Sequence, residues 1–467
     1  MTFPDGFLWG ASTAAYQVEG AVDQGGRGVS IWDTFSHTPG RTKNGDTGDV
    51  TCRHYEKVRD DLDLMAELGL CAYRFSVAWP RVQPDGKGPA NQAGLDFYRE
   101  LVAGLCDRGI RPVVTLYHWD LPQALEDEGG WAVRDTAERF AEYVGMVAGA
   151  LGDQAAMWIT LNEPWCSAWL GYGIGMHAPG ARDPQASLRA THHLLLAHAL
   201  GTEVLRRDSK APVGIALNLA QQIPASSHEL DVQAARFADG GVNRMYLGPL
   251  FLGSYPEDML AAFASVGFSM DAVRDGDMAL VSSPVDFLGV NYYSTWAVAS
   301  VSRLAEARQA GFVAPDSLAS SETASLGLAA VGRPWLDKTS TGWEIDPGGL
   351  TATLARVRDE YTQVPLYVTE NGVAFEDYRG PDGAVHDAAR VAYLAAHVKA
   401  VEDAINTGTD VRGYFVWSLL DNFEWAEGFS KRFGLTWVDY PGSERVKKDS
   451  FYWFQKLVAA NGLPGAG

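Results

Sequence analysis

The chain has 467 residues, 46% of them hydrophobic and 21% charged, with a formal net charge of −20 at pH 7. These are globular proportions without a linker-like segment or short repeat, and length is compatible with one large barrel carrying loop insertions. Such an acidic chain is poorly suited to nucleic acid, which is bound by clustered Lys and Arg.

The first strand-like run is Phe7 to Gln17, ending in small residues and an amide; glycines between Gly20 and Gly28 then mark a loop. From His54 to Leu68 the apolar residues Tyr55, Val58, Leu62, Met65 and Leu68 recur at helical spacing, and Gly69 stops the helix. Cys71 to Val77 is a second strand, with Pro80 and Pro84 marking the following loop. Helix Gly94 to Arg108 precedes strand Arg111 to Leu116, and helix Arg134 to Leu151 precedes a strand beginning at Met157. Helix Ser187 to Arg207 precedes Val213 to Asn218; Phe287 to Asn291, the strand beginning at Leu366, and Gly413 to Trp417 follow, the last behind helix Ala388 to Ile405. Eight strands alternating with helices predict an α/β chain folded as a single closed (β/α)8 TIM barrel spanning residues 1–467. An open doubly wound sheet is disfavoured because no glycine-rich phosphate turn follows the first strand.

Two strands end in a carboxylate. Met157 to Asn162 runs into Glu163-Pro164, where proline bars an inner strand from continuing, and Leu366 to Thr369 runs into Glu370-Asn371-Gly372. In a parallel barrel all C-terminal strand ends share one face, so these two glutamates, about 200 residues apart, converge on one pocket. A pair of carboxyl groups about 5–5.5 Å apart suits retaining glycoside hydrolysis, one as acid/base and one as nucleophile.

Taken together, the strand-end peptides resemble glycoside hydrolase family 1, the β-glucosidase family. They are Phe7-Leu8-Trp9-Gly10 through Glu19-Gly20, Tyr73-Arg74-Phe75-Ser76, His118-Trp119-Asp120-Leu121-Pro122, Thr160-Leu161-Asn162-Glu163-Pro164, Asn291-Tyr292-Tyr293, Thr369-Glu370-Asn371-Gly372 and Trp417 through Trp425. The resemblance implies Glu163 as acid/base and Glu370 as nucleophile, with Gln17, His118, Asn162, Asn291, Tyr293, Trp417, Glu424 and Trp425 around the sugar. It further implies a small-molecule partner, a β-glucoside or cello-oligosaccharide. Arg74 and Tyr293 are expected to stabilise ionised Glu370; Trp165 or Trp169 is expected to shield a protonated Glu163. Trp343 is assigned to a wall of the leaving-group site, and Arg303 to Lys338 reads as a family-variable loop region.

Other features read more plainly. Trp9, Trp32, Trp158 and Trp453 are expected in the core, His192, His193 and His198 in helix packing, and Gly171 to Gly175 in a rim loop. The four cysteines lack metal or redox spacing and read as reduced thiols; no metal or other cofactor is expected. No stretch reads as a signal peptide or membrane span, so a cytoplasmic protein is expected. The rival readings are a 6-phospho-β-glucosidase, a catalytically silent sugar-binding barrel and a cofactor-dependent oxidoreductase.

Overall fold

The computed structural model describes residues 2–314 and 326–464. Eight parallel strands close into a barrel in sequence order: β1 Leu8–Ser12, β2 Ala72–Ser76, β3 Arg111–Tyr117, β4 Met157–Asn162, β5 Val213–Asn218, β6 Phe287–Asn291, β7 Leu366–Asn371 and β8 Val411–Trp417. Closure is made by β1 against β8, in register from Leu8 opposite Gly413 to Ser12 opposite Trp417. The strands are almost wholly buried because helices cover them outside and their own side chains fill the interior.

That interior is plugged at its lower end by Leu8, Ala72, Val113, Met157, Ile159, Ala216, Phe287 and Phe415. Gly10 makes the plug possible, since a Cβ there would lie 2.3 Å from the Phe415 ring. The open end is therefore the C-terminal one, where Ser12, Ser76, Tyr117, Asn162, Asn218, Asn291, Asn371 and Trp417 end the strands.

The outer helices follow the apolar spacing. His54–Leu68 ends at Gly69 in the left-handed conformation, and Asp135–Leu151, Pro184–Asp208, Pro347–Glu360 and Ala388–Asn406 each carry a buried stripe. After β8, helix Asp449–Ala460 returns to the barrel's start, where Asn461 accepts a hydrogen bond from Trp9 Nε1 at 2.9 Å.

Several local expectations differ from what is observed. The first strand stops at Ser12, and Gln17 lies in a helical turn, Ala15–Val18, begun by hydrogen bonding of Ala15 N to Ser76 Oγ. Pro80 belongs to a second helical turn, Trp79–Val82, whose first turn tolerates a proline lacking an N–H donor. Gly171 to Gly173 is not rim loop but the end of a π-helical stretch, Cys166–Gly173, and Tyr172 within it is buried. Within 303–338, helix Leu304–Gln309 and strand Leu328–Val331 are defined; the strand pairs antiparallel with Trp296–Ser300, which pairs in turn with Gln222–Pro224. Residues 315–325 of that region lie outside the described residues.

Trp9, Trp32 and Trp158 are core residues, and Trp453 is partly buried against the same core. His192 is a packing histidine held between Tyr255 Oη at 3.0 Å and Asp277 Oδ2 at 2.9 Å. No described helix is long and apolar enough to cross a membrane.

Candidate active site

At the open end lies a cavity of about 1190 Å³ whose lining includes His118, Glu163, Asn291, Tyr293, Trp343, Glu370, Trp417, Glu424 and Trp425. Behind this wall, Arg74, Asn162 and Gln17 are buried and brace it. Strand ends place these residues: Arg74 is in β2, Asn162 and Asn291 end β4 and β6, Glu370 is in β7 and Trp417 ends β8.

Arg74 is the hub. Its Nη1 donates to Glu370 Oε1 at 2.6 Å and its Nη2 to Asn162 Oδ1 at 2.5 Å, while Nε donates to Thr115 Oγ1 at 3.1 Å. Tyr293 Oη donates to the other nucleophile oxygen, Glu370 Oε2, at 2.7 Å. Burial and the Glu370 charge push the Tyr293 phenol well above its ordinary range, so it stays a donor.

Asn291 links the two glutamates. Its Nδ2 donates to Glu163 Oε1 at 2.7 Å and to Asn162 Oδ1 at 2.9 Å, and its Oδ1 accepts from Thr369 Oγ1 at 2.6 Å. Two donors on Asn162 Oδ1 fix that amide's orientation, so its Nδ2 donates to His118 Nε2 at 3.0 Å. Burial keeps His118 neutral, which puts its one proton on Nδ1, an atom with no protein partner. That N–H is free to meet a hydroxyl.

Glu163 is pushed up to about 8, first by burial and then by the Glu370 charge. Trp165 and Trp169 both line the cavity beside it. A contact the sequence reading missed is the Cys166 thiol, which donates to Glu163 Oε2 at 3.2 Å. Nothing in the spacing of Cys166 among the cysteines signals an acid/base partner; the contact follows from the helical turn that carries it past Glu163.

The sugar wall is made by the segment after β8. Gln17 Nε2 donates to Phe423 O at 2.8 Å and to Asn422 Oδ1 at 3.1 Å, tying the N-terminal turn to this segment. Trp425 stacks with Tyr16 and packs against Trp32 and Trp119. Below it, Asp421 is buried between Lys448 at 2.7 Å and Arg432 at 2.7 Å, and Asp377 takes Lys448 at 2.5 Å and Arg390 at 2.6 Å. Glu424 is pushed up to about 8 by burial and then by the charges of Glu370 and Glu163. Trp343 is partly buried against Tyr293 and Phe433, with its ring centroid 5.3 Å from that of Tyr293.

Three site residues sit at positive φ: Glu163 at 47°, Trp425 at 50° and Trp119 at 80°. For non-glycine residues each such conformation costs roughly 1–3 kcal/mol and is kept only where surroundings enforce it. Gly372 serves the opposite need, since a Cβ there would lie 1.7 Å from the Trp417 carbonyl oxygen.

The family model for glycosyl hydrolase family 1 matches residues 1–463. The chain belongs to glycosyl hydrolase family 1. It is 46% identical to "Beta-glucosidase A" of Thermotoga maritima over 463 residues, 99% of this chain and 98% of the relative. It is 49% identical over 474 residues to a "Bifunctional beta-D-glucosidase/beta-D-fucosidase" of Bifidobacterium breve, covering 98% of each. The solved family 1 β-glucosidase of Thermotoga maritima superposes with a TM-score of 0.91 at 46% identity, covering 99% of both chains.

The Cys166 contact has a measurable consequence. A thiol donor favours the anionic form of Glu163, so Cys166→Val raises that carboxyl further. The alkaline limb of kcat/KM is then expected to move up by roughly half a pH unit, the scale of one weak hydrogen bond. A pH–rate profile of the variant on an aryl β-glucoside measures it; an unmoved limb rules the thiol's influence out.

Proposed function

We propose that the protein is a retaining β-glucosidase that removes terminal non-reducing β-D-glucosyl residues, with Glu370 as nucleophile and Glu163 as acid/base. The observation that carries this reading is the pair of buried glutamates joined through Arg74, Asn162 and Asn291 on one cavity wall. Glu370, with its charge stabilised by Arg74 and Tyr293, attacks the anomeric carbon, and the bond to the leaving oxygen breaks as Glu163 donates its proton there. Esterification removes the Glu370 charge. The repulsion that added to burial in raising Glu163 vanishes with it, so Glu163 now takes the proton from water, which attacks the same carbon and releases glucose. Two inversions at one carbon give net retention.

His118 Nδ1–H and the Glu424 carboxyl supply hydrogen bonds to sugar hydroxyls, and Trp417 and Trp425 supply the apolar face. The same wall favours unphosphorylated sugars. Lys431 and Arg432, the cations nearest in sequence to Glu424, hydrogen-bond Ser340 O and Asp421 respectively, while the Glu424 carboxyl shares the cavity with Glu163 and Glu370. A phosphate dianion would meet these acid groups. Because the Glu424 carboxyl can reach either O4 epimer, activity on β-fucosides and some on β-galactosides is expected.

Glu370→Ala is expected to lower kcat by roughly 10⁴-fold or more, with azide partly restoring turnover and giving the inverted glycosyl azide. Near-normal turnover without added anion would remove Glu370 from the nucleophile role. Glu163→Ala should cost about 10²–10⁴-fold on cellobiose but far less in glycosylation by a dinitrophenyl glucoside, whose leaving group needs no proton. Below about pH 8 the Glu163 carboxyl carries its proton, so kcat/KM should fall as pH rises through that value. Finally, an aryl β-glucoside should far exceed its 6-phosphate in kcat/KM; the reverse order would overturn the specificity while leaving the two-carboxylate chemistry intact.

A further inference from the structure

Glu163 is followed by a stretch whose shape needs outside support. Cys166–Gly173 is π-helical, with Ile174 N donating to Trp169 O at 3.0 Å across five residues, a geometry that is rare and concentrates at functional sites. Its near end is fastened to the acid/base: Cys166 N donates to Glu163 O at 2.9 Å, and Cys166 Sγ to Glu163 Oε2 at 3.2 Å. Glu163 itself sits at a φ of 47°, a conformation kept only by its surroundings, so the direction of its carboxyl depends on where this stretch lies.

The far end of the stretch is fastened to a residue outside the cavity lining. Tyr172 is buried, and its Oη accepts from Trp131 N at 2.9 Å, which leaves its own hydroxyl proton for Glu126 Oε2. Burial and then the Glu126 charge push the Tyr172 phenol well above its ordinary range, so it keeps that proton. Glu126 ends the short helix Gln123–Glu126, which follows His118 to Pro122. The node is closely built. Gly130 has a φ of 53°, and a Cβ there would overlap both Glu126 Oε2 and Tyr172 Oη. Thr136 Oγ1 donates to the Gly130 carbonyl, and Trp131 Nε1 donates at 2.9 Å to the hydroxyl of Tyr117, the last residue of β3. Residues 126–131 thus clamp the end of β3, which leads into His118, to the π-helical stretch that follows β4.

We propose that Glu126 is a positioning residue for the acid/base: by holding Tyr172 it fixes the end of the π-helical stretch and, through Cys166, the direction of the Glu163 carboxyl. The proposal rests on the reading of Glu163 as acid/base. A purely structural contact would affect every substrate alike, whereas a misdirected Glu163 slows only the steps that move a proton. Those steps are protonation of a poor leaving group and deprotonation of the attacking water. Departure of dinitrophenolate needs no proton, and azide attacks the glycosyl-enzyme without giving one up.

The test compares Glu126→Leu, Glu126→Gln and Tyr172→Phe with the unaltered enzyme at one pH. Glu126 is only partly buried, so its substitutions carry the comparison, and Tyr172→Phe repeats it from the other end of the bond. Glu126→Leu should lower kcat/KM for cellobiose about tenfold, within the roughly 10²-fold that a 1 Å misplacement can cost, and change that for dinitrophenyl β-glucoside by less than about twofold. Turnover of the dinitrophenyl glucoside, limited by hydrolysis of the glycosyl-enzyme, should fall and be restored by azide with formation of the β-glucosyl azide. Glu126→Gln keeps an acceptor for the Tyr172 hydroxyl and should recover most of the loss on cellobiose. The double variant Glu126→Leu/Tyr172→Phe should be no worse than either single one, because both break the same contact. Unchanged cellobiose activity, equal losses on the two substrates, no effect of azide, or additive losses in the double variant overturn the positioning role. Glu163→Ala is the reference. If it too fails to separate cellobiose from the dinitrophenyl glucoside, the acid/base reading falls and this proposal with it; if it separates them and Glu126→Leu does not, only this proposal falls.

Discussion

The buried guanidinium of Arg74 is the interaction on which the catalytic end depends. A charge 1% exposed within strand β2 must be paired, and it is paired with the nucleophile on one side and hydrogen-bonded to Asn162 on the other. Removing one partner of such a buried pair costs about 3–5 kcal/mol, so the pairing constrains the fold as much as the chemistry. From Asn162 the constraint passes to Asn291, Glu163 and the tautomer of His118. The whole wall is oriented by a hydrogen-bond chain with one positive centre.

Around that centre the structure concentrates strain and buried carboxyl groups. Glu163, Trp119 and Trp425 are held at positive φ, and the Glu163 and Glu424 carboxyls share the cavity with Glu370. Such a grouping persists only because its surroundings are overdetermined. The segment carrying Glu424 and Trp425 is anchored below by Asp421, Lys448 and Arg432 and from the side by Gln17. Burial and then the Glu370 charge raise Glu163 to about 8, and the second of these is relieved when the nucleophile is esterified. One residue can therefore serve first as acid and then as base.

The barrel itself was legible because parallel strands covered on both faces need apolar runs, and the helices between them need a stripe at helical spacing. Glu163 and Glu370 were legible because each ends such a run. Gln17 was not placed correctly by local pattern: its run reads as strand, yet the chain turns into a short helix once Ser76, from a neighbouring strand, accepts the Ala15 amide hydrogen bond. Gly171 to Gly173 reads as loop from its glycines but is helical.

By itself the sequence determined which residues end strands, and hence which side chains share the open face of a closed barrel, because alternation of apolar runs and the two-residue side-chain period are local properties. Only the tertiary structure decided how those side chains engage one another. That Arg74 spans Glu370 and Asn162, that Asn291 reaches Glu163, and that His118 keeps its free proton on Nδ1 all depend on distances between segments far apart in the chain. Burial set the protonation of Glu163 and His118 for the same reason: desolvation is a property of the packed surroundings, and no residue carries it alone.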